Sequence, residues 1–156
     1  MKEKKNLILK VVFTSLSVLV ISFIFGNSLL DASASTVQST GVREFINSIL
    51  SDFGFEFEFT ENFVRKCAHL AEYFVLAVSL FITYVLYIKK HLSVLIATLS
   101  TGLVIACIDE TIQLFSDGRS SQISDVILDF SAVLTVGCVL YIVIKNFKKR
   151  GNFENE

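Results

Sequence analysis

The sequence predicts an all-α integral membrane protein, a bundle of four transmembrane helices with both termini in the cytoplasm. Four apolar segments each reach the roughly 20 residues that a helix needs to cross a hydrocarbon core about 30 Å thick. The chain is 53% hydrophobic with a mean hydropathy of +0.63, above the roughly 45–50% apolar share of soluble domains. Lys and Arg gather on one side of these segments, which orients them. A length of 156 residues leaves room for one compact domain over positions 1–156.

Span one covers about residues 11–30 and follows Lys2, Lys4, Lys5 and Lys10. Spans two and three, about 67–88 and 92–115, are joined by Lys89, Lys90 and His91. Span four, about 123–144, precedes Lys145, Lys148, Lys149 and Arg150. Every one of these clusters lies inside if the chain crosses an even number of times from a cytoplasmic start. The basic start, the apolar run and Ala32-Ser33-Ala34 also resemble a secretory signal with its cleavage site, an alternative that would remove span one.

The outer loop, residues 31–62, has a pattern of its own. Val42, Phe45, Ile46, Ile49, Leu50 and Phe53 recur at helical spacing between Arg43, Glu44, Asn47, Ser48 and Asp52. This predicts a short amphipathic helix lying on the outer leaflet or capping the bundle. Phe53, Phe55, Phe57 and Phe59 then alternate with Gly54, Glu56 and Glu58, which favours an extended segment. Thr60 is placed to cap span two. The plainer alternative is a flexible acidic connection.

Charges within the spans need a reason, since each costs at least about 2.5–3.5 kcal/mol to insert. In span two, Arg65, His69, Glu72 and Tyr73 stand at i, i+4, i+7 and i+8 and share one face, with Lys66 at its edge. In span three, Asp109 and Gln113 share a face, and Glu110 is offset by about a third of a turn. Asp117-Gly118-Arg119-Ser120-Ser121 reads as a tight turn, and span four opens with Asp125 and Asp129 at i and i+4. At 1.5 Å per residue, Glu72, Asp109 and Asp129 each lie roughly 9–10 Å below the outer ends of their helices, with His69 about a turn above Glu72. Three acids from three helices at one level imply a polar cavity open to the outside.

A structural ion-pair network is the simpler interpretation. Against it, Glu72, Asp109, Glu110, Asp125 and Asp129 face only Arg65, Lys66, Arg119 and one histidine. Carboxylates held close together disfavour one another's charge. Protons, a cation, a metal or a basic ligand must complete the set. His69-x-x-Glu72 has helical metal-ligand spacing, but there is no His-Glu-x-x-His, and His91 lies on the other side. The spacing therefore assigns no metal and names no cofactor. Ser120, Ser121 and Ser124 lack a nucleophile-elbow motif. Cys67, Cys107 and Cys138 sit in apolar stretches without CxxC spacing and read as free thiols. Nothing supports nucleic-acid binding, and the absence of acids from the inner halves of the spans argues against an ion relay.

Arg65-Lys66-x-x-His69-x-x-Glu72-Tyr73, then Asp109-Glu110-x-x-Gln113-x-Phe115, then Gly118-Arg119 and Asp125, resemble the VanZ-like family of bacterial membrane proteins over residues 62–141. Departures are Asp117 where the family turn carries proline, and Ala132 near a usual glycine. Asn27 and Ser28 are the nearest equivalents of a polar patch at the end of the family's first span. The resemblance implies a multi-pass protein of the bacterial cell membrane, in a family whose named member is associated with low-level resistance to the glycopeptide teicoplanin. Two expectations follow. In the first, the site binds or shields a lipid-linked wall precursor or an anionic lipid headgroup. In the second, it is an intramembrane enzyme in which His69 and Glu72 act with Asp109 or Glu110.

Overall fold

The computed structural model describes residues 2–54, 57–118 and 122–153. Five helices follow in order: α1 (Lys2–Ser28), α2 (Ala32–Asp52), α3 (Glu61–Tyr87), α4 (His91–Leu114) and α5 (Ile123–Phe153). No strand occurs among the described residues. Four stretches, Glu3–Ser28, Glu61–Tyr87, His91–Leu114 and Ile123–Phe147, are long and apolar enough to cross a membrane. This is the architecture of a multi-pass membrane protein.

Helix α3 is the hub and packs against all four other helices, while α4 and α5 form a second close pair. The core is a seam of Ile24, Tyr73, Leu76, Ala77, Ala106 and Val133, all buried. Gly102 lets α4 approach α5: a Cβ there would stand 2.5 Å from Val133 Cγ1, and small residues allow such contacts between membrane helices. Leu19, Phe23, Phe74, Ile96 and Ile142 remain exposed around the bundle, as expected where lipid replaces water as the solvent. Away from the charged layer, hydroxyl pairs cross between helices, Ser17–Thr83 at 3.0 Å and Tyr84–Thr101 at 2.7 Å. Such pairs average about 0.6 kcal/mol in membranes.

The loop between α1 and α3 departs from expectation in two ways. Helix α2 starts ten residues before Val42, because the Asp31 side chain caps it by accepting from the Ala34 amide at 2.7 Å. Its buried residues are Ser35 and Ser39, while Val42, Phe45 and Ile49 of the apolar stripe stay exposed. The alternating Phe segment forms no strand among the described residues; Phe55 and Glu56 lie outside them. Phe53 instead ends α2, and Gly54 turns the chain at φ +80°. The Asn47 amide then holds the Phe59 backbone, accepting at 3.0 Å and donating at 3.4 Å. The Phe59 ring stacks on Phe63 at 4.9 Å. Thr60 caps α3 as expected, accepting from the Phe63 amide at 3.3 Å. The three cysteines are free.

Candidate functional site

The last turns of α1 and α4 meet the first turns of α3 and α5 at one end of the bundle. This end collects the charged residues of the spans. Asp109 is 0% exposed, Asp129 2% and Glu110 4%. Ligand atoms of His69, Asp109 and Asp129, one from each of three helices, lie within 4.8 Å of one another. His69 Nδ1 stands 3.6 Å from Asp129 Oδ2. The imidazole thus reaches the acids of the neighbouring helices, and Tyr73 is wholly buried beside them.

Helix α1 completes this layer. Asn27 donates Nδ2 to Glu72 Oε1 at 2.8 Å, and the Ser28 hydroxyl donates to Asp109 Oδ1. Gln113, one turn along α4, donates to Asp109 Oδ2 at 3.4 Å and to Ser28 at 3.3 Å. In the sequence, Asn27 and Ser28 stand out only as equivalents of a family patch. Their signal was faint, because two small polar residues at a span end look like an ordinary helix exit.

Glu110 turns away from this group and accepts from the Gln122 amide at 2.5 Å, tying α4 to the start of α5. Lys66 pairs with Asp125 at 3.2 Å, and Arg65 donates to Asn62 at 3.2 Å. Among the described residues no carboxylate lies within 4.0 Å of Arg65. Arg119, Ser120 and Ser121 lie outside the described residues; Ser124 bonds its neighbour Gln122 at 3.3 Å. Gly118 adopts φ +73° in the turn before them, a conformation glycine takes without strain. That turn is latched to the α1–α2 junction: Ala32 N donates to Asp117 O at 3.0 Å, and Ser116 Oγ to Ser28 O at 2.7 Å.

Two hollows flank this layer. A polar cavity of about 200 Å³ is lined by Lys66, His69, Gln113, Asp125 and Asp129. A mainly apolar groove of about 420 Å³ runs between α1, α2 and α3, past Phe23, Val42, Ile46, Phe59 and Phe63. Arg65 and His69 line both, and Asn27 and Glu72 stand at the polar end of the groove.

No curated protein and no solved structure matches the chain. A sequence model of one family, VanZ/LLP1, matches residues 13–145. The match includes α1 from its fourth turn onward and every described side chain of the charged layer. The chain belongs to the VanZ/LLP1 family.

Proposed function

We propose that this is a cell-envelope protein that binds the phosphate-bearing headgroup of a membrane lipid, a lipid-linked wall precursor above all, at a polar site facing the outside of the bacterial cell membrane. One observation carries the reading: a polar cavity and an apolar groove share Arg65 and His69. An amphipathic ligand needs such a pair of adjoining spaces. Its acyl or prenyl chain fits along Phe23, Val42 and Phe59, and its headgroup at the buried acids. The Arg65 guanidinium, unmatched by a carboxylate among the described residues, suits phosphate. Glu72 and Asp109 would accept from amines or sugar hydroxyls.

Lys4, Lys5, Lys10, Lys89 and Lys90 at the opposite end support an orientation with both termini in the cytoplasm. The exposed Val42, Phe45 and Phe53 of α2 then meet the outer leaflet rather than water. Occupying a wall precursor's headgroup would reduce access by teicoplanin-type glycopeptides.

The test compares Arg65→Ala and Glu72→Gln with Asp52→Asn in cells, reading copurifying lipid and teicoplanin susceptibility together. Loss of a phosphate-bearing lipid in the first two alone supports the reading, and unchanged lipid in all three overturns it. Retained lipid dependence with unchanged susceptibility removes only the resistance role.

The 3.6 Å approach of His69 to Asp129 favours a second reading, an intramembrane enzyme in which His69 is a general base beside Glu72 and Asp109. Turnover of an envelope lipid by purified protein, abolished by His69→Ala, would establish it. Normal turnover in that variant would remove His69 from the reaction.

A further inference from the structure

We infer that His69, Asp109 and Asp129 form a binding site for one divalent transition-metal ion. The three residues come from α3, α4 and α5, so the sequence spacing that assigned no metal had no bearing on this set. Their ligand atoms lie within 4.8 Å of one another. Donors about 2.1 Å from a shared ion stand roughly 3–3.4 Å apart. The 3.6 Å between His69 Nδ1 and Asp129 Oδ2 is close to that spacing, and an ion would draw the set inward from its 4.8 Å bound.

A second observation points to a ligand. Asp129 is 2% exposed and lines the polar cavity. Its Oδ1 is buried with no hydrogen-bond partner among the described residues. A buried carboxylate oxygen left without a donor is costly, and a cation removes that cost.

Charge favours the same conclusion. The one Lys–acid pair in this region among the described residues joins Lys66 to Asp125, which leaves Asp109 and Asp129 without a Lys or Arg. Two carboxylates and a neutral imidazole carry two negative charges, which a divalent ion cancels. Imidazole with carboxylates suits zinc or manganese. The Asp109 carboxylate is further held by Ser28 and Gln113, the outer support that fixes metal ligands in place. Coordination positions not taken by protein would face the cavity and accept water or a phosphate oxygen. The ion site shares His69 and Asp109 with the lipid reading but does not require lipid, since its three donors are all protein atoms.

The experiment uses tag-free, full-length protein in detergent, stripped with a chelator and titrated with zinc or manganese alone, without lipid. One ion per chain is expected, with at least tenfold weaker binding in His69→Gln and Asp129→Asn and no change in His91→Ala. The chain has 2 histidines, so in His91→Ala an imidazole nitrogen coupling to bound manganese in pulsed electron paramagnetic resonance can come only from His69. That coupling is expected, and it needs neither site variant to fold. Failure of the folded wild type to take up either ion overturns the assignment. Manganese bound to His91→Ala without nitrogen coupling also overturns it, as does undiminished binding in the two site variants.

Discussion

Asn27, next to last in α1, donates its side-chain amide to the Glu72 carboxylate in the second turn-pair of α3, at 2.8 Å. The first helix is thereby fastened to a charge that the third carries into the bundle. Glu72 Oε2 has no partner among the described residues, so Asn27 supplies the carboxylate's direct hydrogen bond.

Asn27→Ala should therefore lower stability by about 1–3 kcal/mol, the cost of leaving a buried acceptor unpaired. Glu72→Gln should cost less, because it removes the charge while keeping an acceptor. The double variant should recover most of the loss seen in Asn27→Ala. Thermal unfolding in detergent, followed by helical circular dichroism, reads all three. Equal losses in Asn27→Ala and the double variant would show that the charge is not what Asn27 satisfies.

The pair Lys66–Asp125, at 3.2 Å, leaves its side chains 40% and 28% exposed. A double-mutant cycle between Lys66→Ala and Asp125→Ala should return a coupling of no more than about 1 kcal/mol, weakened further by salt. A much larger, salt-insensitive coupling would mean that the pair is shielded from solvent.

Gly102 faces Val133, whose side chain is 0% exposed and has little freedom to move. Gly102→Ala should destabilise by about 1–3 kcal/mol through overpacking. Val133→Ala should be destabilising alone yet should rescue Gly102→Ala, since it removes the methyl groups in conflict. Additive losses would place the strain elsewhere.

Topology gives a separate test. In a cysteine-free background, Glu58→Cys should react with a membrane-impermeant maleimide on intact cells, and Lys90→Cys only after permeabilisation. Both residues are exposed. The reverse pattern would invert the proposed orientation.

The helical spans were legible because an apolar run of about 20 residues has few other stable homes. The face carrying Asp109 and Gln113 was legible from helical period, and the 3.4 Å bond between them follows from i, i+4 spacing. The approach of His69 to Asp129 was not. Depth counted along separate helices ignores how they tilt, slide and turn about their axes, so it does not give the 3.6 Å between His69 and Asp129. The start of α2 was obscured because Ala32-Ser33-Ala34-Ser35 carries no apolar period, and only Asp31 marks its cap. Alternation from Phe53 to Phe59 suggested extension, but Phe53 closes α2. Among the described residues no strand pairs with residues 57–59, and the backbone at Phe59 bonds Asn47. The set His69, Asp109 and Asp129 spans three helices, so no local motif could announce it.

Native mass spectrometry of the protein released gently from its own membranes tests the lipid-binding reading most directly. A phosphate-bearing lipid is expected on the wild type, displaced or lost in Arg65→Ala and in a groove-filling Val42→Trp, and retained in Asp52→Asn. Lipid adducts of the same mass and occupancy in all four proteins would contradict a built headgroup site, as would a folded wild type that carries no lipid at all.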